Sequence, residues 1–151
     1  MFKSVLIVCI GNICRSPVGH FLFQKYSDEY GLDLKIDSAG VGALVGEGAN
    51  RHSIHVSKEH GLDVSSHVAK QLTRELLYDY ELVLVMDNEI RSIMQKEYSY
   101  SIGKVKKMGE FNQLEIYDPY RKPKAAFEEM YEKTDACVRV WLERVWNVKF
   151  T

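Results

Sequence analysis

The start of the chain limits its fold more than any other stretch. Residues 5–9, Val-Leu-Ile-Val-Cys, form an unbroken apolar run rich in β-branched side chains. That pattern suits a strand buried on both faces, as in a parallel sheet. A short loop with one glycine, Gly11, follows, and Ser16-Pro17 then reads as a helix start. Ser16 is expected at the N-cap and Pro17 at the first helical position. Val18, Phe21, Leu22 and Tyr26 make a helical stripe behind it. A strand that runs through a loop into a helix aims several backbone N–H groups, and the positive end of the helix dipole, into one space. Such a nest binds tetrahedral oxyanions.

The rest of the chain continues the alternation. Residues 34–37 alternate as a short strand. Residues 40–48 hold Gly40, Gly42, Gly46 and Gly48 and read as a loop. Residues 51–59 read as a helix that stops at Gly61, and 75–80 as a helical turn. Residues 82–86 form a second buried-strand candidate, 89–96 a helix, and 104–108 a weaker strand. In the last segment Phe127, Met130, Tyr131, Thr134, Val138, Trp141, Leu142 and Val145 recur at helical spacing. Strands alternating with helices predict an α/β fold, a parallel sheet covered on both faces. Ligands of such folds sit beyond the carboxyl ends of the strands, at a topological switch point. The residues just after position 8 are therefore where chemistry is expected. The prolines stand only at 17, 119 and 123, with no Pro/Ser-rich linker, so residues 1–151 read as a single domain.

Composition removes several classes of function. Twenty Lys+Arg against 21 Asp+Glu give a net charge of −1, which supports neither a nucleic-acid partner nor electrostatic membrane docking. The apolar run at 5–10 is too short to span a bilayer or to form a signal-peptide core, so no membrane insertion and a cytoplasmic location are expected. Cys9, Cys14 and Cys137 are an odd count without metal-ligand spacing, against a disulfide scaffold or a zinc site.

The loop reads Cys9-Ile10-Gly11-Asn12-Ile13-Cys14-Arg15-Ser16-Pro17. Helix N-termini and cations stabilise thiolates, the reactive form of cysteine, and Cys9 lies at the base of the cradle. Six residues on, Arg15 offers a planar fork for two phosphate oxygens. The loop wraps so that thiol and guanidinium meet one phosphate, and the Ser16 hydroxyl can donate to Cys9. Neither G-x-x-x-x-G-K-[ST] nor G-x-G-x-x-G is present, so the anion is attacked by the protein rather than held as part of a nucleotide. The spacing alone also fits a buried core cysteine and a surface arginine; the strand before it and the helix start after it favour the site. Tyr117-Asp118-Pro119-Tyr120 supplies a second candidate. Asp118 fits the proton donor that a phenolate leaving group needs, and it equally fits an ordinary Asp-Pro turn.

Cys9 to Pro17, Ser38-Ala39-Gly40 and Asp118-Pro119-Tyr120 together resemble the low-molecular-weight protein tyrosine phosphatases, in order and spacing over nearly the whole chain. Gly42-Ala43-Leu44-Val45-Gly46 and the run from Asp118 to Lys122 look like the bacterial Wzb/Etp branch, which is associated with tyrosine autokinases controlling capsule and exopolysaccharide export. The resemblance implies a doubly wound sheet of four parallel strands with the phosphate-binding loop after the first. It implies Cys9 as a nucleophile forming a cysteinyl-phosphate. Arg15 and the N–H groups of residues 10–15, with Ser16, would bind the phosphoryl oxygens, and Asp118 would act as acid and then base. Asn12, Ser16, Ser38 and His67 match the residues that brace the loop in the family. Ile10, Ile13, Leu44 and Tyr120 would wall a slot deep enough for phosphotyrosine and too deep for phosphoserine. Leu44 stands where eukaryotic members have a wall tryptophan, and Arg121 where they have a tyrosine; both fit the bacterial branch. No metal or organic cofactor is implied. The implied partner is a phosphotyrosine protein, a bacterial tyrosine autokinase.

In the family the pair matching Cys9 and Cys14 can form a reversible disulfide that protects the nucleophile; Cys14 also fits a small buried side chain. Two other functions compete. A thioredoxin-coupled arsenate reductase would need relay cysteines near residues 85–89, where there are none, and a non-catalytic phosphotyrosine-binding module would be expected to lack Cys9 or Asp118. Cys137 reads as a core thiol, and His20, His52, His55 and His60 as packing or surface residues. Lys104 to Lys107 reads as a solvated strand end.

Overall fold

The computed structural model describes residues 1–151. The first apolar run forms β1 (Ser4–Cys9), buried along its whole length. It pairs in parallel on both sides, with β2 (Lys35–Gly40) and with β3 (Leu82–Val85). A third parallel pairing adds β4 (Val105–Lys107) beyond β3. The sheet order is β2-β1-β3-β4. The chain leaves β1 towards one edge and β3 towards the other, so with right-handed crossovers the helices after them fall on opposite faces. The switch point lies between β1 and β3, and residues just past Cys9 and Val85 share it.

Five α-helices accompany the sheet: α1 (Arg15–Glu29), α2 (Arg51–Glu59), α3 (Arg74–Tyr78), α4 (Asn88–Glu97) and α5 (Lys124–Trp146). No helix is long and apolar enough to cross a membrane. α1 packs on β1, β2 and α5 together, so it buries Phe23, Gly19 and Ser27 as well as Val18, Leu22 and Tyr26. A single apolar stripe is the signature of a helix with one solvated face, and α1 has little of one. Gly19 allows the close approach: a Cβ there would lie 3.1 Å from Ile7 and 3.2 Å from Met86.

Three details depart from the sequence reading. Ser16 does not cap α1. Cys14 is the N-cap residue, with no side-chain cap bond, because the Ser16 hydroxyl is engaged with Cys9 and Asn12. Pro17 therefore falls at the third helical position, where its missing N–H is still one of the unpaired donors of the first turn. β2 begins at Lys35 and runs on to Gly40, past the expected end at residue 37, so Gly40 is strand and not loop. Lys104 is half-buried rather than solvated. Its ammonium donates to the carbonyls of Leu77 and, at 2.8 Å, Tyr80, closing the C-terminal end of α3.

Candidate active site

The loop from Cys9 to Cys14 is held from outside by its carbonyl oxygens. Cys9 accepts from Val41 N–H, Ile10 from Gly42, Gly11 from Leu44 and Ile13 from Asn50, at 2.7–3.0 Å. Asn12 accepts from His67 Nε2 at 2.6 Å and Cys14 from the Ser53 hydroxyl at 3.2 Å. Every carbonyl of residues 9–14 thus points to the glycine-rich segment 41–50, to α2 or to His67. No N–H of residues 10–15 donates in a loop or turn hydrogen bond. A peptide plane has two polar ends, and fixing the carbonyls outward leaves the donors for an anion.

Asn12 makes the sharp turn, with φ of 58° and no exposed surface. Asparagine tolerates that left-handed conformation better than most residues. Its Nδ2 donates to Ser16 Oγ at 2.7 Å and to Ser38 Oγ at 3.1 Å, and its Oδ1 accepts from Lys70 N–H at 2.9 Å. Ser16 Oγ lies 2.8 Å from Cys9 Sγ. His67 meets a carbonyl, which can only accept, so its Nε2 carries a hydrogen. Burial lowers the His67 pKa, against the Asn12 contact and Asp37, which raise it. Asn12, Ser16, Ser38 and His67 therefore meet around the loop.

Arg15 is 1% exposed. Its Nη1 donates to Asp87 Oδ2 at 2.7 Å and to the Ile116 carbonyl at 2.8 Å, and its Nη2 lies 3.9 Å from Asp118 Oδ2. Burial opposes the guanidinium charge. Cys9, Asp87 and Asp118 outweigh it, and the Arg15 pKa is raised. Asp118 is half-exposed and accepts from Tyr120 N–H at 3.1 Å, so the Asp-Pro turn and the acidic group are the same feature. Cys14 is buried, and burial with neighbouring Cys9 pushes its thiol up to about 12.

One pocket joins these groups. Cys9, Cys14 and Arg15 lie in it with Asp118, and Ile10, Ile13, Leu44 and Tyr120 line it together with Gly11 and Gly42. All four residues expected as walls are there. The pocket can hold a phosphoryl group against Cys9 and an aromatic ring between apolar walls.

Two residues of this neighbourhood escaped the sequence reading. Asp87 caps α4 through Oδ1, which accepts from Ile90 N–H at 2.9 Å, and grips Arg15 through Oδ2. An Asp directly after a buried strand and three residues before Ile90 was the available signal. His20, read as a packing or surface residue, reaches Ser38 Oγ from Nδ1 at 3.3 Å. His52 and His60 do pack, against Phe127 and Tyr131, and His55 lies 3.8 Å from Glu59. Cys137 is fully buried in the core.

Residues 4–149 match the family model described as low molecular weight phosphotyrosine protein phosphatase. Wzb of Escherichia coli, strain K12, named a low molecular weight protein-tyrosine-phosphatase, is 40% identical over 95% of both chains. The crystal structure of the tyrosine phosphatase AmsI of Erwinia amylovora covers 95% of this chain and 93% of its own, at 38% identity and a TM-score of 0.88. The solved structure of Vibrio vulnificus Wzb in complex with benzylphosphonate covers 96% of this chain and all of its own, at 34% identity and a TM-score of 0.90. With sequence, fold and pocket in agreement along its length, this chain belongs to the low-molecular-weight protein tyrosine phosphatase family.

Proposed function

We propose that this protein hydrolyses phosphotyrosine in proteins through a cysteinyl-phosphate on Cys9. The observation that carries the reading is the outward bonding of all the carbonyls of residues 9–14 around a pocket that also holds Cys9, Arg15 and Asp118. Cys9 Sγ attacks phosphorus while the N–H groups of residues 10–15 and the Arg15 guanidinium take the charge on the phosphoryl oxygens. The tyrosine oxygen departs with a proton from Asp118. A phenol ionises only near pH ~10, so an unassisted phenolate is a poor leaving group. Asp118 then takes a proton from water, which attacks the cysteinyl-phosphate and releases inorganic phosphate and Cys9. Asn12, Ser16, Ser38 and His67 hold the loop in shape before substrate arrives.

Ile10, Ile13, Leu44 and Tyr120 select a ring long enough to reach Cys9, and the benzylphosphonate bound by the Vibrio relative has that shape. The natural substrate is a phosphotyrosine protein, in our reading a tyrosine autokinase controlling capsule or exopolysaccharide production. The protein works in the cytoplasm as one domain over residues 1–151, supported by one continuous core of 39 residues. Peroxide oxidises Cys9 to a sulfenic acid, and the Cys14 sulfur then displaces the hydroxyl as water to close a protective disulfide. Conversion of Cys9 to an uncharged sulfenic acid removes one of the three causes that hold the Cys14 thiol protonated, leaving burial and Asp118.

The test is turnover of a phosphotyrosine peptide and of para-nitrophenyl phosphate, with a phosphoserine peptide as control. Wild type is expected to cleave the aryl phosphates alone, and Cys9→Ser to cleave nothing while still binding vanadate. Asp118→Ala should lose about 100-fold or more on phenyl phosphate and much less on esters of acidic phenols. Wild-type rates for Asp118→Ala on phenyl phosphate would overturn its assignment. A fully active Cys9→Ser would overturn the mechanism.

A further inference from the structure

The hydrogen bonds around Asn12 have only one self-consistent direction, and that direction ends at His20. Lys70 N–H can only donate, so the Asn12 side-chain oxygen faces it and the Asn12 amino group faces Ser16 and Ser38. Both hydroxyls must then accept from Nδ2, and each keeps one hydrogen to give. Ser16 gives its hydrogen to Cys9 Sγ, 2.8 Å away. Ser38 has no exposed surface, and its remaining polar neighbour is His20 Nδ1 at 3.3 Å. If Nδ1 carried a hydrogen, the Ser38 proton would be stranded in a buried site, or would turn back on Asn12 and compete with Nδ2.

We propose that His20 is a positioning residue: by accepting the Ser38 proton at Nδ1 it fixes the direction of the chain Ser38–Asn12–Ser16–Cys9, so that Ser16 donates to the sulfur. The proposal rests on the reading of Cys9 as nucleophile. His20 reaches this network from the second turn of α1, while its ring lies against Phe21. The charged and titratable groups facing it are Asp37, Lys70 and His67, with Lys70 paired to Asp37. Burial pushes the His20 pKa down to about 4, against the pull of Asp37, so at neutral pH the imidazole is uncharged and has a lone pair to offer. Without that acceptor, Ser38 no longer needs to receive from Asn12, the amide loosens, and Ser16 is free to turn from Cys9.

The experiment compares His20→Phe, which keeps a ring but no acceptor, with His20→Glu and His20→Gln, which restore one. Two quantities are read: kcat and KM on a phosphotyrosine peptide, and the pH dependence of iodoacetate alkylation at Cys9, located by mass spectrometry. Thermal unfolding midpoints establish that each variant is folded at the assay temperature. We expect His20→Phe to lower kcat about tenfold, the equivalent of one hydrogen bond, with KM within about twofold. Its alkylation profile should move to higher pH. At least one acceptor variant should return both quantities towards wild type. A folded His20→Phe with wild-type kcat and alkylation profile overturns the proposal, as do folded Glu and Gln variants no better than Phe. Alkylation does not depend on phosphatase activity. A wild type that fails to cleave the peptide would sink the proposed function, while the Cys9 profile would still decide the role of His20.

Discussion

Arg15 carries a permanent charge at 1% exposure, which only a close partner makes tolerable. That partner is Asp87, at 2.7 Å, and not the half-exposed Asp118, 3.9 Å from the other guanidinium nitrogen. Asp87 therefore keeps Arg15 from being drawn onto the acid it must work beside. Asp87→Asn preserves a side-chain oxygen for the cap of α4 but removes the charge. Arg15 is then expected to swing towards Asp118. We predict a loss of about 1–3 kcal/mol of stability, read from urea unfolding. The same variant should lose about 10- to 100-fold in kcat/KM on para-nitrophenyl phosphate, the equivalent of roughly 1.4–2.7 kcal/mol of transition-state stabilisation. Wild-type kcat/KM in this variant would show that Asp87 is a cap and no more.

Among the elements, β2 and the segment after it shape the anion site as much as the loop itself. Gly40, the last residue of β2, lies against the turn: a Cβ there would stand 2.3 Å from the Ile10 carbonyl oxygen and 3.0 Å from Asn12 N. Both contacts are backbone and cannot give way as a side-chain tip can. Gly40→Ala should therefore push the loop off its outer bonds, with an expected cost of about 2–4 kcal/mol and a loss of oxyanion binding. Gly103→Ala, where a Cβ meets nothing within 4 Å, is the control and should stay within about 0.5 kcal/mol of wild type. Vanadate titration and unfolding of the two variants read both effects; equal behaviour of the pair would refute the argument. The sequence already held the loop, because its chemistry is local: strand, glycine, cysteine, arginine and proline lie within thirteen residues, 5–17. The expected helix at 51–59 matches α2 residue for residue, since Asn50 caps it and Gly61 follows it. The Ser16 cap failed because a nearby thiol and amide competed for the hydroxyl that propensity assigns to the helix end. The contacts of Asp87 with Arg15 and of His20 with Ser38 were not legible, because those partners are 72 and 18 residues away and meet them only through the register of a parallel sheet.

At the scale of the whole molecule, one core runs from Val5 to Val148 and takes in residues from every strand. A core without a seam predicts all-or-none unfolding, which licenses a single stability at each pH. Trp141 and Trp146 are both buried on α5, so fluorescence follows the docking of that helix while circular dichroism follows all of them. Their urea transitions should coincide. The midpoint should also depend on pH with a sign fixed by His20 and His67. An unfolded histidine ionises near pH ~6.5, whereas burial holds folded His20 down to about 4 and lowers His67 in the same direction. Between those values the unfolded chain takes up protons that the folded chain refuses, so acidification favours unfolding. The contribution is fully present above ~6.5 and is lost as the pH falls towards about 4, His20's folded value. Urea midpoints at neutral pH and at two steps down to that value should decline together in both signals, and His20→Gln should reduce the decline without abolishing it, because His67 remains. A flat midpoint across that window would mean that the histidines ionise alike in the folded and unfolded chains, and that burial does not hold His20 uncharged as the pH falls.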